Sequence, residues 1–294
     1  MLSQPTSERD PLALALTRKT HGGAPGGSES KLVAAGDGWR VLDIVCTSGP
    51  GDRPYEEQYG SASISLVLSG NFVFRGRRGV TLMSPGALLL GNPGNNYECS
   101  HQHGEGDRCL SFQFDPEMFE RLAIDAGARR PAFEHHRLPP LRALAPVTAR
   151  AEMALGRHDS FEEIALDLAA NVIRVGSEVA AGSADAPAQD RARVAHLLRQ
   201  LESAAAEPYT LAHLARAAGL SRYHFLRTFK SVTGVTPHQW MLRVRLRDAA
   251  KLLATTGLPI TEIALDVGFE DLSNFIRSFR AEFGLSPSRY RSAA

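Results

Sequence analysis

Tyr223, Arg227 and Lys230 stand at i, i+4 and i+7, and 50 residues later Ser273, Arg277 and Arg280 repeat that spacing. On a helix each trio lies along one face. Such a face has a definite chemistry. An arginine there can hydrogen-bond guanine O6 and N7 together in a major groove about 12 Å wide. A lysine at the rim neutralises phosphate without reading sequence. The opposite faces carry rings, Phe225 and Phe229 in the first copy and Phe275 and Phe279 in the second. Plain helical hairpins with solvated outer faces would account for one copy. Two copies with matched inner and outer faces favour contact with a polyanion.

A second group has ligand chemistry. Residues 97–109, YECSHQHGEGDRC, hold Cys99, His101, His103 and Cys109. If 97–103 is a strand, Tyr97, Cys99, His101 and His103 share one face. Gly104 and Gly106 would let a hairpin bring Cys109 back to it. Thiolate and imidazole suit a soft or borderline metal ion, and thiols also support reversible oxidation. Other readings stand beside these: a hairpin edge with solvated imidazoles, cysteines packed as small apolar residues, or the wall of an effector pocket. Local geometry gives Cys46 no place in the group.

These side chains need elements to position them. From Gly38 to Phe114, short runs such as WRVLDIVC, SISLVLSG and CLSFQFD are punctuated by Gly, Pro and Asn. That texture predicts an antiparallel sandwich or barrel. After Pro116 the texture is helical. Phe161, Ile164, Ala165 and Leu168 form an apolar face that could pair two subunits. AGSADAPAQD, 181–190, reads as a linker.

Beyond it the chain echoes itself. Leu211, Leu214, Ala215 and Ala218 precede Gly219, and Ile260, Ile263, Ala264 and Val267 precede Gly268. Each quartet predicts a short helix stopped by glycine, followed by Ser221 or Asp271 as the N-cap of a second helix. This is the helix-turn-helix pattern, twice. Between the copies a long helix starts at Pro237, with an apolar stripe of Leu242, Leu246, Ala249 and Leu253 and a basic stripe of Arg243, Arg247 and Lys251. At about 18 residues and ~27 Å it could hold two reading heads about one DNA turn apart, ~34 Å.

The charge follows the same division. The chain is +1 overall, yet residues 191–294 hold 15 Lys and Arg against 8 Asp and Glu, while the preceding residues hold 18 against 24. A basic end on an acidic body fits a polyanionic partner. No apolar run approaches the ~20 residues of a membrane span, and the N-terminus lacks a signal-peptide pattern. Three cysteines are too few for a disulfide scaffold, which favours a reducing, cytoplasmic compartment. There is no P-loop, GxGxxG or nucleophile triad.

LARAAGLSRYHFLRTFKSVTGVTPHQWMLRVRLRDAAKLL and ITEIALDVGFEDLSNFIRSFRAEFGLSPSRYR resemble the DNA-binding domain of the AraC/XylS family of bacterial transcription regulators. GVTLMSPGALLLGNPG, with Pro85-Gly86 at its turn, is more loosely similar to a cupin hairpin. The resemblance implies an α+β chain of two domains. Residues 1–30, which contain HGGAPGGSES and few large apolar residues, read as a mostly disordered leader, and the resemblance makes 31–180 a cupin-like sensor and dimerisation domain with C-terminal helices. A linker at 181–192 would lead to an all-α DNA-binding domain at 193–294, with helix-turn-helix units at about 211–232 and 260–283. By motif position, Arg222, Tyr223 and Arg227, and Ser273, Asn274 and Arg277, would face bases. His224, Lys230 and Arg280 would touch phosphate or flanking groups. The implied partners are promoter DNA, RNA polymerase and a small-molecule effector; a homodimer stays open, no membrane is involved, and the location is cytoplasmic and nucleoid-associated. The alternative is a dioxygenase-like cupin enzyme with an appended DNA-binding module, using a metal at the Cys/His group. Against it, Glu105 follows His103 too closely for the acidic ligand of the usual cupin motif.

Overall fold

The computed structural model describes residues 10–293 except 24, 103, 156–160, 179–185, 204–205 and 207–208. Its N-terminal half is built on ten strands: β1 (Ser28–Gly36), β2 (Trp39–Cys46), β3 (Tyr55–Gln58), β4 (Ala62–Gly70), β5 (Phe72–Gly76), β6 (Gly79–Met83), β7 (Leu88–Gly91), β8 (Asn96–Ser100), β9 (Asp107–Phe114) and β10 (Arg137–Leu138). They form a six-stranded sheet in the order β1-β2-β9-β4-β7-β10 and a four-stranded sheet in the order β3-β8-β5-β6. Every pairing is antiparallel.

Alternation along β9 shows how the layers are separated. Cys109 points between the sheets, joining Val67, Phe72, Phe74 and Met83. Leu110, Phe112 and Phe114 point the other way, beneath a layer of helices. That layer holds α2 (Pro116–Asp125), α3 (Ala145–Ala154) and α4 (Phe161–Glu178). With both faces of the large sheet covered, the first six residues of β4 are all buried. The Pro85-Gly86 turn is present, with Gly86 at φ +84° and Ala87 N donating to Ser84 O at 3.0 Å.

Two expectations are corrected here. Residues 1–30 are not uniformly a disordered leader: 11–22 form α1 (Pro11–Gly22) and β1 begins at Ser28, while residues 1–9 lie outside the described residues. α1 is capped by Asp10, buries Leu12 and Ala15, and is tied down by Lys19 to Asp52 at 3.0 Å. Backbone N–H donors from Gly49 and Gly26, with the Lys19 ammonium, hold the Asp52 carboxyl down at about 2. The apolar face of α4 is not free to pair subunits either, because Phe161, Ile164, Ala165 and Leu168 are buried in this chain's own core. Of the expected linker, 181–185 lies outside the described residues, and helix resumes at Ala188.

The C-terminal half comprises α5 (Ala188–Ser203), α6 (Leu211–Ala217), α7 (Arg222–Thr233), α8 (Pro237–Thr255), α9 (Ile260–Asp266), α10 (Leu272–Phe283) and α11 (Pro287–Ala293). α8 is shared by two cores. Trp240, Met241 and Val244 pack with Phe225 and Phe229, whereas Leu246, Ala249 and Leu253 pack with Phe275 and Phe279. At 19 residues it is about 28 Å long. The two halves also touch: Val73 and Leu82 of the small sheet belong to the same core as Phe225. No described helix is long and apolar enough to cross a membrane.

Candidate nucleic-acid interface

Local sequence sets α7 and α10, the second helix of each helix-turn-helix unit. α6 and α9 each stop at a glycine, Gly219 at φ +65° and Gly268 at φ +87°, a conformation costly for any residue with a Cβ. Ser221 then accepts from His224 N at 3.3 Å, and Asp271 accepts from Ser273 N at 2.8 Å, starting α7 and α10. Gly234 and Gly284 end them in the left-handed conformation.

The faces divide as the spacing predicts. Phe225, Phe229, Phe275 and Phe279 are each 0% exposed. Arg222, Tyr223, His224, Arg227 and Lys230 are all exposed on α7, and Ser273, Asn274, Arg277 and Arg280 are all exposed on α10. The Arg227 guanidinium lies 5.9 Å from the Tyr223 ring centroid. Asn274 Oδ1 accepts from Arg277 Nη2 at 3.2 Å. The two heads are therefore chemically unlike, one aromatic and cationic, the other amide and cationic. Ile276, which the spacing argument passed over, is 38% exposed between Asn274 and Arg277. An apolar residue there suits a thymine methyl.

The basic stripe of α8 has a different destination. Arg243 pairs with Glu282 at 3.2 Å, and Arg247 reaches Gly86 of the N-terminal half. Lys251 stays exposed beside Asp248 at 3.9 Å. Most of this charge serves contacts within the chain.

The Cys/His group is rearranged relative to its sequence reading. β8 ends at Ser100, and His103 lies outside the described residues. His101 turns into the protein, where its Nε2 lies 2.6 Å from Asp107 Oδ1. Cys46, which local geometry could not place, faces Asp107 directly across the β2–β9 pairing. One ligand atom each from Cys46, His101 and Asp107 lie within 4.8 Å of one another, and all three residues are buried. Cys109 Sγ donates to Asp107 Oδ2 at 3.3 Å, while Cys99 sits opposite Tyr55 on β3. Burial first, then the Asp107 charge, push the Cys99 and Cys109 thiols well above their ordinary range. His101 settles at about 9: burial alone would lower it, but the hydrogen bond to Asp107 and the neighbouring Cys46 outweigh that. The sequence signal missed was Asp107 itself, the one carboxylate of β9, at the head of DRCLSFQF.

With these features in place, the comparisons decide the family. A helix-turn-helix domain model matches residues 214–293, and the AraC-like ligand binding domain model matches residues 48–220.

The chain belongs to the AraC family.

It is an AraC-type DNA-binding transcription regulator, with an AraC-like ligand-binding domain of two antiparallel sheets before a helical DNA-binding half. The HTH-type transcriptional regulator YbfI of Bacillus subtilis strain 168 is 30% identical over 203 residues, 66% of this chain and 70% of YbfI. The transcriptional activator NphR of a Rhodococcus species is 35% identical over 143 residues, 48% of this chain but only 41% of NphR. An AraC-type transcriptional regulator from Chromobacterium violaceum is 28% identical, covering 36% of this chain and 95% of that one, with a TM-score of 0.34.

Proposed function

We propose that this regulator reads one asymmetric DNA site with two unlike heads, α7 through Arg222, Tyr223 and Arg227, and α10 through Ser273, Asn274 and Arg277. His224, Lys230 and Arg280 take phosphates. The observation that carries this is the exposure of all nine side chains on two helices whose opposite faces bury phenylalanines in separate cores. RNA polymerase is the partner at the promoter, and the regulator works in the cytoplasm at the nucleoid. A homodimer would use a surface other than the α4 apolar face, which the chain itself occupies.

The effector is a small polar organic molecule. Its place is a cleft of about 430 Å³ lined by Tyr59, Phe74, Arg78, Asn95, Asn96 and His136. Aromatic walls with a few convergent polar groups suit such a ligand. The dioxygenase-like alternative is disfavoured because a catalytic metal keeps a position open to substrate, whereas the Cys46–His101–Asp107 group is sealed.

Selection of full-length protein against random duplex DNA tests this reading. An enriched site with two different half-motifs about one helical turn apart is expected. A palindrome of one repeated motif, or no enrichment, would contradict it.

A further inference from the structure

The edge of the large sheet beneath α1, where β2 ends and β9 begins, brings together side chains that the DNA-reading role does not use. Cys46 ends β2, Asp107 begins β9 opposite it, and His101 enters from the loop between β8 and β9. The His101 side chain is 1% exposed and the Asp107 side chain 7%. The Cys46 residue is 1% exposed. The His101 ring is held through Nε2 against Asp107 Oδ1 at 2.6 Å, and the proton shared there marks the place an ion would take.

From these contacts we propose that Cys46, His101 and Asp107 form a binding site for a single zinc-class transition-metal ion, with Cys109 supplying the fourth ligand. One thiolate, one imidazole and one carboxylate are a borderline-soft donor set that zinc accepts and calcium or magnesium does not. Bond lengths of about 2.0–2.3 Å put tetrahedral ligand atoms roughly 3.3–3.8 Å apart. The present spread of at most 4.8 Å closes slightly, while the 2.6 Å contact of His101 Nε2 with Asp107 Oδ1 opens as the ion replaces the proton between them. Cys109 Sγ stands 3.3 Å from the second oxygen of Asp107, outside the group of three, and joins it by turning its side chain. Binding displaces the thiol protons of Cys46 and Cys109 and the proton shared by His101 and Asp107, all released to solvent. Cys99 is outside the ligand set, engaged with Tyr55.

The position gives the ion a consequence. It would fasten the 101–107 loop to β2. That loop meets the DNA-binding half, because a Cβ on Gly104 would stand 3.3 Å from Arg199 Cδ of α5.

The test uses full-length protein, stripped by chelator under reducing conditions. Zn²⁺ alone is titrated against a chromophoric chelator, and Co²⁺ alone is followed by absorption. One equivalent of Zn²⁺ per chain is expected, and Co²⁺ should give a thiolate charge-transfer band with tetrahedral ligand-field bands. Cys46→Ser should weaken Zn²⁺ binding by more than the roughly 10–100-fold that losing an outer partner costs. The Cys46→Ser/Cys109→Ser pair should abolish the band, and Cys99→Ser should keep it. Wild-type protein that takes up no stoichiometric Zn²⁺ and shows no cobalt band overturns the proposal whatever the variants do. So does a Cys46→Ser/Cys109→Ser protein that binds like wild type, or a Cys99→Ser protein that loses the band.

Discussion

Arg137, in the short strand β10 of the sensor half, donates from Nη2 to the carbonyl of Thr233, the last residue of α7. Arg142 does the equivalent for the second head, its Nε donating at 2.7 Å to Ala281 O in the last turn of α10. A cation at a helix C-terminus is favourable, and each arginine satisfies a carbonyl that the helix leaves unpaired. Burial lowers Arg137 to about 10, which leaves it protonated at neutral pH. The sensor half thus grips the rear ends of both reading helices while their outer faces stay clear.

Removing this grip should be measurable as stability. Arg137→Ala leaves the Thr233 carbonyl short of a charged donor, and the expected loss is about 1–3 kcal/mol. Urea denaturation of the full chain reads it directly. A midpoint unchanged from wild type would show that the contact contributes nothing in solution.

Close approach at the same seam gives a second expectation. Gly234 has φ +84°, and a Cβ there would lie 2.5 Å from Pro139 Cβ. Gly234→Ala meets both backbone strain and a clash between the halves. It should cost upwards of about 1 kcal/mol. Thermal unfolding at wild-type temperature would refute the packing described.

Stability should also depend on pH through Glu202. Its Oε1 has no hydrogen-bond partner, and burial raises the carboxyl from 4.5 to about 7 despite Arg247 nearby. Between those values the folded chain holds a proton that the unfolded chain has released. This contribution is therefore fully present below 4.5 and declines as pH rises to about 7. Glu202→Gln should flatten the decline and leave the protein more stable than wild type at about pH 8. A variant no more stable than wild type there would sink the assignment.

Phosphate contacts predict a salt effect rather than a sequence effect. Lys230→Ala should weaken binding to all duplexes alike and reduce the slope of log K against log salt by about 0.9. An unchanged slope with altered base preference would move Lys230 from the phosphates to the bases.

What could be read from the sequence was what is local. The i, i+3, i+4, i+7 quartets before Gly219 and Gly268, and the caps at Ser221 and Asp271, are contained within each helical unit, so their pattern specifies them without reference to the rest of the chain. Strand order is set by distant partners. Inserting β9 between β2 and β4 is what brings Cys46 to Asp107, 61 residues away, and no local spacing encodes that. α1 escaped notice because only Leu12 and Ala15 of its residues are buried, too few for an apolar period. The α4 stripe announced burial correctly but could not say against what; the answer was the chain's own sheet.

The central claim is that one chain carries two different DNA-reading heads, and mutant footprints on the selected site test it most directly. Wild-type protein should protect two major-groove segments about one turn apart. Arg227→Ala should lose protection and base preference at one segment and Arg277→Ala at the other, each at a cost of about 1–3 kcal/mol in specific binding. If both variants protect both segments as the wild type does, α7 and α10 do not read the DNA through these faces.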